Sequence, residues 1–200
     1  MRLITQISLN LMISTMNVQY DYYPRNLKNS INRLDNNDLC AIVYEVSKVM
    51  EYLHSNGINH LNLRPENILL DSNKHIKLTD FRSSTVIKEE YLEYVAPEVL
   101  KDLEIDNNKV DVYSFGILSL FIFTRGHLPK FNLSDIVHNM NYLIIPDDVN
   151  QISNQLIESC CSNDINDRLA FEDIVYQIET SDFQLIDDVD SQIIKEHLSI

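Results

Sequence analysis

The sequence predicts a mainly α-helical lobe that carries a small β remnant at its N-terminal end. Three observations support this. Leu39, Ile42, Val43, Val46, Val49, Met50 and Leu53 recur at steps of three and four, which lays one apolar stripe along a helix opened near Asp38. The stretch from Asp111 to Phe123 is apolar nearly all round, the pattern of a helix buried on every side. Residues 3–7 and 11–15 are rich in β-branched side chains and read as two short strands.

The remaining elements follow in order. Residues 26–34 read as a short helix. Residues 35–38 offer N-cap candidates for the longer helix, and Gly57 stops it. A hairpin comes next: apolar Ile68-Leu69-Leu70, a polar turn at residues 71–74, then alternating His75-Ile76-Lys77-Leu78. Beyond the buried helix, residues 133–140, 152–161 and 171–178 read as further helices, the first two separated by Ile145-Pro146. Residues 182–200 are acidic and offer no readable role.

Composition narrows the function. Two hundred residues with 44% apolar content suffice for one cored domain. A net charge of −14 argues against a nucleic-acid partner, which demands clustered Lys and Arg. Cys40, Cys160 and Cys161 lack Cys-x-x-Cys spacing, which speaks against a zinc finger or disulfide framework and fits a reducing, cytoplasmic setting. No His-x-x-x-His pair occurs, so a catalytic metal cage is not expected. The apolar opening, residues 1–18, is interrupted by Gln6, Ser8, Asn10 and Ser14, unlike a signal peptide. The longest apolar run, residues 115–123, is far too short to span a bilayer.

The chemistry concentrates in His60-Leu61-Asn62-Leu63-Arg64-Pro65-Glu66-Asn67, followed across the hairpin by Asp80-Phe81-Arg82. A hairpin with Asn67 at one mouth and Asp80 at the other brings two oxygen donors together, a pair suited to Mg²⁺. These motifs resemble the protein kinase catalytic core, in which His-Arg-Asp-Leu-Lys-Pro-Glu-Asn precedes Asp-Phe-Gly. Three later features extend the resemblance: Ala96-Pro97-Glu98, the Asp111 segment, and Arg168 in the closing helices. It covers about residues 11–178.

The resemblance implies a protein-kinase-like fold: the large C-terminal lobe, with residues 1–24 as remnant small-lobe strands and linker, residues 25–180 as the lobe, and residues 181–200 as an acidic tail. It also implies ATP and Mg²⁺ as cofactors, with Asn67 and Asp80 holding the metal and Leu69 under the adenine. Asn62 stands at the position of the catalytic Asp, and Arg64 at that of a cation near the transferred phosphate. Asp111 matches the residue that binds backbone amides of the catalytic loop, although an Asp there also suits an N-cap. Arg168 matches the partner of Glu98.

Several positions depart from the family pattern. No Gly precedes Gly57, and the early lysines Lys28 and Lys48 fall in helical patterns, so the Gly-rich loop and strand Lys of the small lobe are missing from these 200 residues. Leu61 stands where an Arg would receive an activating phosphate, and Arg82 replaces a Gly. Asn62 can hydrogen-bond a hydroxyl but is a poor base. Losing a positioned base costs about 10²–10⁴ in rate, roughly 3–5 kcal/mol of barrier lowering. The expectation is a pseudokinase that works through protein partners, another kinase or a signalling protein, and binds Mg²⁺-ATP weakly. The alternative is an active or weakly active Ser/Thr protein kinase whose small lobe lies outside this sequence.

Overall fold

The computed structural model describes residue 23 and residues 25–82, 89–101, 106–128 and 143–199. The expected strands at 3–7 and 11–15 and the expected helix at 133–140 lie outside the described residues. What is described is helical apart from one small sheet. Strand β1 (Arg25–Asn26) pairs antiparallel with β2 (Ile68–Leu70), and β2 pairs antiparallel with β3 (Ile76–Leu78). Leu69 stands opposite both Asn26 and Lys77, which fixes the register of the hairpin.

The stretch read as one helix over 26–34 divides in two. Helix α1 (Leu27–Ser30) is capped by the Asn26 side chain, and a 3-10 turn at Ile31–Arg33 follows. Helix α2 (Asn36–Ser55) begins two residues earlier than its apolar stripe suggested. Asp35 is the N-cap and accepts from Asp38 N, while the Asp38 carboxylate accepts from Asp35 N, so Asp38 completes a capping box instead of opening the helix. Gly57, at φ +69°, takes the left-handed conformation that ends it.

Helix α3 (Pro97–Leu100) leads to α4 (Asn107–Phe123), the axis of the lobe, buried from Val110 to Ile122. The expectation that Asp111 opens this helix is wrong. Its N-cap is Asp106, whose side chain accepts from Asn108 N, so Asp111 lies a full turn inside and is not a cap. Helix α5 (Gln151–Cys160) presses so close to α4 that a Cβ on Gly116 would meet Cys161 Sγ at 2.5 Å and Cys160 Cβ at 2.8 Å. That approach requires glycine.

Helix α6 (Phe171–Thr180) packs on α2, and so does α7 (Ser191–Leu198). The acidic tail is therefore part of the lobe. Phe183, Leu185 and Ile194 are buried in the common core, and the Phe183 ring meets Tyr44 edge-on at 5.1 Å.

Candidate active site

The loop between α2 and β2 carries His60, Leu61, Asn62 and Arg64, and one buried carboxylate shapes it. Asp111, wholly buried, accepts from His60 N at 2.8 Å and Leu61 N at 2.7 Å, and lies 3.0 Å from His54 Nε2. Leu61 sits at φ +58°, a region costly for a side chain with a Cβ, and its two-amide clamp is what holds it there. His54, at the end of α2, is a member of this anchor that the sequence left without a role. Its position before the loop was visible, but its partner lies far along the chain.

His60 is buried and neutral. Burial lowers its pKa to about 4, against the opposing pull of Asp111 and Asp80. Its Nδ1 accepts from Asn62 N at 3.2 Å, and its ring lies 4.3 Å from the Phe81 ring, tilted by 37°. Arg82 N donates to His60 O at 3.1 Å, so the two sequence motifs are joined through backbone as well as rings.

The structure brings Asn62, Asn67 and Asp80 together. Asn62 Nδ2 donates to the Asp80 carboxylate at 2.6 Å and to the Asp80 carbonyl at 2.9 Å. Asn67 is buried, and its Nδ2 donates to Asn62 O at 2.7 Å, which leaves its amide oxygen as the atom it can offer a cation. Thr79 N donates to Asn67 O at 3.1 Å and ties the mouth of the hairpin shut. One carboxylate, half-exposed at 53%, plus one amide oxygen is a hard-donor set that fits Mg²⁺. Leu69 lies half-buried in the central strand of the sheet.

Arg64 is drawn inward. Only 8% exposed, it lays its guanidinium 3.5 Å over the ring of Tyr91 and sits 4.0 Å from a Glu66 oxygen, while Lys28 takes the other Glu66 oxygen at 2.6 Å. Tyr91 is a contact the sequence did not reveal, because its ring belongs to the segment after the Asp80 motif. A cavity of about 30 Å³ remains beside Asn62, Arg64 and Tyr91, room for a water or two. A roomier groove of about 590 Å³ lies at Tyr52, His54, Lys109 and Phe171, and none of Asn62, Arg64, Asn67 and Asp80 lines it.

At the base of the lobe Arg168 makes two parallel bonds to Glu98, at 2.7 and 2.9 Å, and also donates to Ser162 O and Lys109 O. Both side chains are nearly inaccessible.

Comparison with known proteins agrees with this arrangement. Residues 3–178 match the family model of the protein kinase domain. The chain belongs to the protein kinase family. It is 33% identical over 159 residues to a probable serine/threonine-protein kinase kinX of Dictyostelium discoideum, covering 70% of this chain and 14% of that protein. It is 31% identical over 176 residues to the serine/threonine-protein kinase ksg1 of Schizosaccharomyces pombe, covering 72% and 29%. The dual specificity protein kinase pyk3 of Dictyostelium discoideum is 34% identical over 152 residues, covering 70% and 11%. The chain thus spans less than a third of the length of each of these relatives. Among the described residues, no helix of this kinase-family chain is long and apolar enough to cross a membrane.

Proposed function

We propose that this kinase-family chain is a pseudokinase, a binding and regulatory module of a cytoplasmic signalling assembly whose partners are proteins. The observation that supports this best is the 2.6 Å bond from Asn62 Nδ2 to the Asp80 carboxylate. Two carboxylates at that spacing would repel, and one would be driven to protonate. An amide in the same place attracts, so the substitution turns a repulsive pair into a closed latch. The latch acts twice. It removes the charged base from the position of Asn62, and it ties up the carboxylate of Asp80 that would face Mg²⁺ at this site.

Mg²⁺, when bound with ATP, would neutralise phosphate charge at Asp80 and Asn67, with Leu69 on the adenine side. The chain's own residues oppose that state. Asn62 competes for Asp80, and Arg64, stacked on Tyr91, is withdrawn from any transferring phosphate. In this reading residues 25–180 are the kinase-like lobe, residues 1–24 are remnant small-lobe strands and linker, and residues 181–200 are an acidic C-terminal tail whose helix α7 packs on α2.

The test is calorimetric titration with Mg²⁺-ATP, followed by a radiolabel transfer assay of the natural chain, Asn62→Asp and Asp80→Ala. Weak binding and transfer at the detection limit are expected for the natural chain. Robust transfer that Asp80→Ala abolishes would overturn the reading. Activity gained in Asn62→Asp would show that this latch alone silences the site.

A further inference from the structure

At the turn end of the hairpin, three side chains far apart in sequence converge: Glu45 from the middle of α2, His75 from just before β3, and His197 from α7. One ligand atom of each lies within 4.8 Å of the others. We propose that this trio is a binding site for a divalent transition metal of the zinc class, which fastens the C-terminal helix to α2 and the hairpin.

Each ligand is held in place by the elements around it. Glu45 Oε2 accepts from Ile76 N at 2.8 Å, which fixes the carboxylate and turns Oε1 to His75 Nδ1 at 2.5 Å. His75 is positioned by the turn before it. Asp71 Oδ1 accepts from both Asn73 N and His75 N, and Lys74, at φ +68°, reaches back to Asp38. His197 arrives because α7 is docked by wholly buried Ile194 and by Asp190 N donating to Asn37 Oδ1 at 2.8 Å. The imidazoles of His75 and His197 then stack at 4.3 Å, only 29° from parallel.

The donor chemistry selects the ion. Two imidazole nitrogens and one carboxylate oxygen suit Zn²⁺ and its neighbours, whereas Mg²⁺ and Ca²⁺ want oxygen throughout. Zinc bonds of about 2.0–2.2 Å to nitrogen and oxygen in tetrahedral array put ligand atoms roughly 3.3–3.5 Å apart, so a metal would replace the 2.5 Å Glu45–His75 hydrogen bond and spread that pair while the partly exposed His197 ring turns towards it. All three residues are partly exposed, which leaves the fourth position to water. The chain's net charge of −14 favours any cation. The Glu45–His75 hydrogen bond by itself needs nothing from His197, so dependence of metal binding on His197 is the discriminating feature.

The experiment uses the full chain, stripped with chelator and titrated with Zn²⁺ by calorimetry and with Co²⁺ by visible absorption. The natural chain is compared with His75→Ala, His197→Ala and Glu45→Gln, each checked by circular dichroism. One Zn²⁺ per chain is expected, with a Co²⁺ spectrum of nitrogen and oxygen ligation and a metal-induced rise in Tm. Binding should weaken by about tenfold or more in each variant. Ring-nitrogen NMR shifts of His75 and His197 on adding Zn²⁺ to the natural chain give a readout that needs no variant. No Zn²⁺ uptake by the natural chain, shifts at other histidines only, or unchanged affinity in His197→Ala would overturn the proposal.

Discussion

At the scale of single residues the loop between α2 and β2 rests on buried groups outside the Asn62–Asp80 contact. Asp111 holds the loop by two amides and ties it to α2 through His54, and the strained backbone at Leu61 is fixed as a result. His60 adds a pH dependence. Its folded pKa, about 4, lies below the ordinary 6.5 because burial disfavours the charged ring. The unfolded chain therefore takes up this proton first as pH falls. The contribution of His60 to stability is complete above about pH 6.5 and is lost progressively towards pH 4, amounting to about 3 kcal/mol. Urea unfolding of the natural chain and His60→Leu across that window should show a steeper acid loss in the natural chain. Equal slopes would mean the ring is not buried in its neutral form. The thiols behave in the same direction: burial pushes Cys40 and Cys161 up to about 12, so neither is a nucleophile at neutral pH.

At the scale of elements the Glu98–Arg168 pair joins α3 to the segment before α6 and braces the start of α4 through Lys109 O. Both charges are buried, so removing one strands the other. Glu98→Ala or Arg168→Ala should each cost about 3–5 kcal/mol, and the double variant much less than their sum. A double-mutant cycle by chemical denaturation with near-zero coupling would contradict the buried geometry. This pair and the two long helices were legible in the sequence, the helices because α2 keeps one apolar stripe and α4 is apolar on every face. The start of α4 was not legible. The N-cap Asp106 and the first helical residues Asn107, Asn108 and Lys109 are polar and carry no apolar period, so the pattern becomes legible only where the buried stretch begins at Val110 and Asp111. The latch could be anticipated only in part: Asn62 and Asp80 were visible as altered motif residues, but a bond between them depends on how the hairpin folds back. The Glu45, His75 and His197 cluster left no mark at all, since local spacing cannot register three residues gathered from separate elements.

At the scale of the whole molecule the acidic C-terminal segment decides how large the cooperative unit is. Its acidic composition offers no readable role, and its apolar residues keep no regular period. The structure instead seats Phe183, Leu185 and Ile194 in the core, with Asn36 Nδ2 donating to Asp187 O and Asn37 Oδ1 accepting from Asp190 N. If that seating contributes to stability, two neighbouring isoleucines on α7 should respond very differently. Ile194 is wholly buried, and Ile194→Ala should cost about 2–5 kcal/mol through lost transfer energy and the cavity left behind. Ile193 is 50% exposed, and Ile193→Ala should stay within about 0.5 kcal/mol, the usual range for a surface change. Urea midpoints of the two variants measure the contrast directly, because helix propensity changes equally in both. A common small effect would show that α7 rests on the lobe without sharing its cooperativity. A large loss confined to Ile194 would make residues 181–199 part of the folding unit, and a metal at His197 would then stabilise the whole lobe rather than its last helix alone.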